Sequence, residues 1–392
     1  VFDESDQFYR EHVQASESTL GIMASGGTAA NITALWCARN ACFGPRGGFA
    51  GIQNEGLVRS LDAYGYHDAV VLASSMAHYS IEKAAAVLGL GARHIVRIPV
   101  DEAGCLRPAA LRKTVDACRR HRRRILAVIG VAGTTDSGCI DPLDEIARIA
   151  AAAGIHFHVD AAWGAPLLLT ERFRSMLRGI ERADSVTIDG HKQLHLPLGT
   201  SMLLLKDPHL ARQIEHEAEY MLRPNSFDQG RHTLEGSRAS TILFFNAALH
   251  LIGRRGFDAL VEGHIRRAAE FAEMVNEAAD FELLCRPQTS IVLYRYLPRF
   301  ARVAASQSGD GETGVNAFNE QLQQAQFERG ATFVSRTRLR CLPQFHSHPV
   351  VALRAVINHP LTSRADLQAV LDDQRTIAAE MERQVPYRDY NE

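Results

Sequence analysis

Short apolar runs separated by stretches of helical period fill the first half of the chain, and that alternation restricts the fold more than any other feature. The runs are LGIMAS (20–25), AVVLAS (69–74), HIVRIPV (94–100), ILAVIGVAG (125–133), HFHVDAA (156–162), SVTID (185–189) and SMLLL (201–205). The helical stretches are Thr28–Asn40, Ser80–Leu88, Pro108–Arg120 and Pro142–Ala153. Strands that alternate with helices require an α/β architecture with a mostly parallel sheet. The last helix is the best signalled, with Asp141 as expected N-cap, Pro142 in the first turn and Gly154 past the end.

After Leu205 the texture changes. Residues 207–222 read as helical, 223–237 as a polar loop, and about 238–279 as a long helical linker. Beyond it lie strands SIVLYRYL (290–297), ATFVSR (331–336) and VVALRAVI (350–357), helices near 315–329 and 364–384, and an exposed loop at 304–314. The expected division is a large domain over 1–280 and a small C-terminal α+β domain over 281–392. VFDESDQFYREHV opens the chain without a helix-start signal or a Met, so an N-terminal segment is expected to be missing.

The totals exclude several function classes. A formal charge of −2 gives no electrostatic reason to bind nucleic acid or an anionic membrane. The one basic run, Arg119–Arg124, closes an amphipathic helix, where cations meet the helix dipole favourably. Seven scattered cysteines without a CxxC pair fit free thiols in a reducing compartment, and the expected location is cytoplasmic. No run is long enough to span a membrane.

Chemistry concentrates at four strand ends. Ser25-Gly26-Gly27-Thr28 opens a helix whose N-terminal N–H groups and Cβ-free backbone suit a phosphate. It is neither a Walker loop nor a dinucleotide fingerprint. His78, in SSMAHYS, suits stacking on a flat ring or proton handling, although on its own segment it reads equally as a loop histidine. Asp160 ends HFHVD, where a buried carboxylate needs a cationic partner such as a protonated ring nitrogen. Lys192 follows SVTIDGH in a turn between two apolar segments. An ammonium there needs a partner or sheds its proton, and a desolvated amine is a nucleophile for carbonyls. Taken singly, a strand-end lysine is a surface residue. Together a phosphate seat, a ring-facing histidine, an acid for a ring nitrogen and an amine for an aldehyde describe pyridoxal 5′-phosphate, at the carboxyl edge where α/β sheets bind ligands. His156 and His158, like His346 and His348, lack a third ligand at metal spacing and read as strand or loop residues.

The segments SGGTAAN, SSMAHYSIEKA, GTTDSGCIDPL, HVDAAWGAP, SVTIDGHKQLHLPLG and LRAVINHP resemble the pyridoxal-phosphate-dependent group II amino-acid decarboxylases, from about Leu20 to Pro360. The resemblance implies the aspartate-aminotransferase-like fold, type I among pyridoxal-phosphate enzymes. It implies Lys192 as the amine that condenses with the cofactor aldehyde, Asp160 on the ring nitrogen and His78 stacked on the ring. Gly27, Thr28 and His191 would hold the phosphate, Thr135 and Ala162 would line the cofactor, and Arg354 would bind the substrate α-carboxylate. No metal is implied. HEAEYMLRPNSFDQGRHTLEGSR and the DGHKQL form look like the branch of bacterial aspartate 1-decarboxylases, so L-aspartate to β-alanine is the expected reaction, with glutamate an acidic alternative. A homodimer with active sites at the interface is also implied.

In many relatives a loop tyrosine returns a proton to Cα. The expected loop, 223–237, holds Phe227 and His232 but no tyrosine, which leaves His232, His78, Lys192 or water. Rival readings are an aromatic or diamino-acid decarboxylase, an aminotransferase, a decarboxylating aldehyde synthase and a silent cofactor-binding relative. An acidic substrate needs a cation in the pocket; Arg223, Arg231 and Arg238 are available in sequence.

Overall fold

The computed structural model describes residues 1–13, 15–218, 226–303, 310–340, 342–345 and 348–384. Helices are α1 (Asp6–His12), α2 (Gly27–Cys42), α3 (Ile52–Tyr64), α4 (Ser80–Val87), α5 (Pro108–Arg120), α6 (Leu143–Ala153), α7 (Ile242–Leu251), α8 (Gly253–Glu277), α9 (Arg299–Val303), α10 (Asp310–Arg329) and α11 (Arg364–Gln384). Strands are β1 (Gly21–Ala24), β2 (Asp68–Ser74), β3 (Ile95–Ile98), β4 (Arg123–Val131), β5 (His156–Asp160), β6 (Ser185–Asp189), β7 (Ser201–Leu205), β8 (Phe281–Leu283), β9 (Ile291–Tyr296), β10 (Ser335–Leu339) and β11 (Val350–Val356).

Two compact units result. The first comprises Val1–Pro99, Leu106–Ala132 and Ile140–Asp258, the second Val100–Cys105, Gly133–Cys139 and Ala259–Glu392. The division therefore falls inside α8 rather than at 280/281, and the second unit takes in two short segments from earlier in the chain.

The first unit is built on a seven-stranded sheet of order β1-β7-β6-β5-β4-β2-β3. Strands β2 to β6 are parallel, and β7 pairs antiparallel with both β6 and β1. β1 thus points the same way as β2 to β6, and the four polar strand ends share one edge. Ala69 to Ala73 are each no more than 1% exposed, which requires cover on both faces and explains the unbroken apolar run. α2 and α4 supply Ile32, Leu35, Ile81 and Ala84 to a core with Val71 and Ala73.

The second unit carries an antiparallel sheet of order β10-β11-β9-β8, with Phe271, Tyr294, Phe318 and Leu353 in its core.

Several expectations are corrected. Residues 207–222 do not form a helix among those described. Leu210–Ile214 is a single 3₁₀ turn, and His216 N donates instead to Arg231 O at 2.9 Å, a tertiary bond in place of a helical one. The opening residues do form a helix, capped by Ser5 Oγ accepting from Phe8 N at 3.1 Å. Asp141 is no N-cap: its carboxylate accepts from Leu106 N at 2.7 Å and Val131 N at 2.8 Å. The helical region 238–279 is broken at Gly253, whose φ of +66° few side chains tolerate. β10 lies at 335–339 rather than 331–336. It is an edge strand whose arginines, Arg336 and Arg338, both bond Glu320, so it lacks an apolar signature. Residues 310–314 belong to α10, and 304–309, like Arg223 and His346, lie outside the described residues.

Candidate active site

The seat at the start of α2 is shaped by close approach. A Cβ built on Gly27 would stand 2.9 and 3.1 Å from the two oxygens of Asp189, so only glycine lets the backbone lie there. Gly26 caps the helix without any side-chain bond, which leaves the N-terminal N–H groups of α2 for a ligand. Asp189 itself is buried at the end of β6 and is satisfied from several sides. Ser201 Oγ donates to Oδ1, Lys192 Nζ lies 3.0 Å from Oδ2, and His191 Nε2 lies 3.8 Å away. The Lys192 side chain is 32% exposed. Of the two fates open to a strand-end lysine, the structure gives it a carboxylate partner.

Asp160 closes β5 next to β6, in register with Thr187. Its Oδ2 accepts from Asn31 Nδ2 at 2.9 Å and its Oδ1 from Ala162 N at 3.2 Å. His78 stands in the turn that follows β2, which is separated from β5 by β4. Its Nδ1 accepts from Ser80 N at 3.3 Å, which leaves the proton of a neutral ring on Nε2. Burial holds the His78 pKa below the usual histidine value; Asp160 and Asp189 pull it up, Lys192 and Lys83 push it down. Being neutral near pH 7, His78 suits stacking on a flat ligand.

In the second unit, Arg354 on β11 meets the turn that holds Thr135. Nε donates to Thr135 O at 2.8 Å and Asp136 O at 3.2 Å, and Nη1 to Ser335 Oγ at 3.4 Å. Burial lowers the Arg354 pKa, with Asp136 opposing. Its guanidinium braces that turn rather than facing solvent. His232 is engaged by Thr19 Oγ1 at 3.3 Å and Glu215 Oε1 at 3.9 Å, Arg231 by Glu215 and Glu217, and Arg238 by Gln229 Oε1 at 3.0 Å. A cavity of about 550 Å³ along β1 is lined by none of the clustered strand-end residues. Among the described residues no group of three or more His, Cys, Asp or Glu could hold a metal, and no helix is long and apolar enough to cross a membrane.

Sequence reasoning passed over Asn31, although it stands in the quoted SGGTAAN, and Asp189, although it ends a strand as Asp160 does. The signal was there for Asp189; for Asn31 only the packing reveals the role. His158, read as a plain strand residue, lies below Asp160 with Nε2 3.0 Å from Asn31 Oδ1. Burial drops its pKa to about 3. An unfolded histidine takes its proton near 6.5, so below that pH the unfolded chain binds the extra proton. Stability is therefore expected to fall by about 1.4 kcal/mol per pH unit from this group, from 6.5 down towards 3. Urea melts at pH 7 and pH 4.5 check this: a His158→Gln variant should lose less stability over that interval than the wild type, and equal losses would refute it.

The residues fit pyridoxal phosphate on their own terms. Gly27 leaves the cradle that a Cβ would fill, and His191 Nδ1 and Trp163 Nε1 are buried without a protein partner. Residues 8–297 match the model of the pyridoxal-dependent decarboxylase conserved domain. The chain belongs to this family.

Among relatives, the aspartate 1-decarboxylase of Aliivibrio fischeri is 40% identical over 98% of this chain and 71% of its own length. The L-2,4-diaminobutyrate decarboxylase of Acinetobacter baumannii is 28% identical over 93% of this chain and 71% of its own. The crystal structure of mouse CSAD in apo form superposes with a TM-score of 0.82 at 25% identity, covering 95% of this chain and 74% of that one. The decarboxylase is thus a pyridoxal-phosphate-dependent carboxy-lyase of type I fold.

Proposed function

We propose that the chain decarboxylates L-aspartate to β-alanine and CO2. The observation that carries this reading is the 40% identity to an aspartate 1-decarboxylase over 98% of the chain. Relatives named for diaminobutyrate are 36% identical over 72% of the chain and 28% over 93%, and one named for aromatic amino acids is 28% identical over 93%.

Bound pyridoxal phosphate supplies the sink for the electron pair left as CO2 departs. The chain does the rest. Lys192 Nζ, paired with Asp189 in the structure, would be the anchoring amine. Asp160 would serve the ring nitrogen with its charge. His78 would stack on the ring, while Gly27, Thr28 and His191 would hold the phosphate and Thr135 and Ala162 would line the cofactor. Arg354 has five N–H donors, so bracing the Thr135 turn through Nε and Ser335 through Nη1 leaves both N–H groups of Nη2 for the substrate α-carboxylate. Orientation of that carboxylate selects the bond that breaks.

In many relatives a loop tyrosine returns the proton to Cα, and residues 223–237 hold none. Tyr220 lies in 219–225, outside the described residues. Tyr220→Phe is expected to cut amine output and raise aldehyde product; an unchanged product ratio would leave His232, His78, Lys192 or water as donor. We also propose a cytoplasmic homodimer. The apolar face of α7, with Leu243 63% and Leu251 85% exposed, supports a second copy, checked by light scattering.

The deciding assay offers aspartate, glutamate, cysteine sulfinate, tyrosine and 2,4-diaminobutyrate and measures CO2, amine and keto acid. Aspartate should give the highest kcat/KM, with β-alanine and no keto acid. A higher value on diaminobutyrate or tyrosine would overturn the substrate, and keto acid as main product would favour the aminotransferase.

A further inference from the structure

We infer that Asn31 and His158 are positioning residues that hold Asp160 as an oriented anion for the cofactor ring nitrogen. The inference rests on the proposed assignment of Asp160 to that nitrogen. Its warrant is the direction of a buried hydrogen-bond chain, which can be read from one end.

An ionised carboxylate only accepts. The Asn31 atom 2.9 Å from Asp160 Oδ2 is therefore the amide nitrogen, and that nitrogen also donates to Ser80 Oγ at 2.9 Å. Asn31 Oδ1 must then accept. It receives Thr187 Oγ1 at 2.7 Å and His158 Nε2 at 3.0 Å. His158 accordingly carries its proton on Nε2, and its Nδ1 accepts from Ser185 Oγ at 2.8 Å. Ser185 has one proton, used on His158, so it accepts from His156 Nε2 at 2.8 Å. The donors run in one direction from His156 through Ser185, His158 and Asn31 to Asp160, with one Asn31 N–H branching to Ser80.

The placement is costly unless this polarity serves something. Asn31 is 1% exposed, and His158, Ser185 and Thr187 are 0% exposed. Fully buried polar side chains cost free energy relative to apolar ones unless every group is paired. Here all four hydrogen-bonding positions of Asn31 are filled, and the series ends on a charge. Burial keeps His158 neutral down to about pH 3, so its tautomer, and with it the amide orientation of Asn31, does not change over the working range. Turning the amide to suit a protonated Asp160 would set its NH2 against the Thr187 hydroxyl and the His158 Nε2–H. Ala162 N presents a donor to the other oxygen as well. The network thus presents a donor to each oxygen of Asp160.

The test uses the full chain stripped of cofactor and titrated with pyridoxal phosphate. It reads the dissociation constant, the pH dependence of the bound cofactor's visible band, and thermal unfolding of the stripped protein. Asn31→Asp, nearly isosteric, sets two carboxylates face to face. It should weaken cofactor binding by at least about ten-fold and move the pH midpoint of the band. His158→Leu should weaken binding by roughly three- to ten-fold, and His158→Gln, which can still donate to Asn31, should recover most of that loss. Asp160→Asn is the control. If it weakens binding while Asn31→Asp and both His158 variants keep the wild-type constant and band, changing only the melting temperature, the two residues are core packing and the inference fails. If Asp160→Asn itself leaves binding and band unchanged, the assignment of Asp160 to the ring nitrogen has failed, and the inference falls with it.

Discussion

Replacement of Lys192 by alanine is expected to abolish amine production and the visible absorption of bound cofactor, with kcat lowered by ~10⁴-fold or more. On the proposed reading no other amine in the strand-end cluster can anchor the cofactor. The fold should survive. Lys192 is about a third exposed, and Asp189 keeps Ser201 as a donor beside the α2 N-terminus, whose partial positive charge favours a carboxylate. Loss of the ion pair is therefore expected to cost only about 1 kcal/mol in the cofactor-free chain. Added methylamine should restore part of the rate, because it replaces the amine and not the scaffold. CO2 release, the absorption spectrum and a melting curve measure the three effects together. Turnover at the wild-type rate would remove Lys192 from the chemistry altogether.

Asp160→Asn should be the second largest effect, with kcat/KM falling by roughly 10²- to 10³-fold. Two separate physical losses contribute. On the proposed reading, the anion that keeps the ring nitrogen protonated disappears, and with it the electron sink. The substitution also breaks the local hydrogen bonding: both Asp160 oxygens face donors, Asn31 Nδ2 and Ala162 N. An amide in its place presents NH2 to one of them whichever way it turns, a donor–donor contact worth about 1–3 kcal/mol. Asp160→Glu separates the two losses, because it keeps the charge and displaces the oxygens. Recovery of cofactor affinity by glutamate without recovery of rate would assign the main effect to geometry. Full activity in Asp160→Asn would show that the ring is not held from this side.

The candidate site was legible wherever local sequence and sheet geometry say the same thing. In a parallel strand the chain can leave only at the carboxyl edge, so a polar residue after each apolar run had one edge to occupy. Gly27, His78, Asp160 and Lys192 could therefore be grouped before any coordinates. The apolar runs were also reliable because strands covered on both faces carry no alternation to misread. Legibility failed where a residue's partner is remote in sequence. Asp141 looked like a helix cap but bonds to Leu106 and Val131 instead. The segment after Leu205 looked helical, but His216 is drawn to Arg231. β10 is an edge strand of arginines paired to α10, with none of the apolar signal that marks a covered strand.

The amino-acid order by itself determined the alternation of strand and helix, the four chemical stations and the cofactor they imply, because each depends on residues within a few positions of one another. Tertiary structure alone decided that Asp189 sits against Gly27, that Arg354 braces the Thr135 turn, and that a carboxylate on β5 is served by an asparagine on α2 and a histidine below it. Those are contacts across 127 or more positions, such as Asn31 to His158 and Thr135 to Arg354. They are fixed by how helices and strands pack, which local periodicity does not encode.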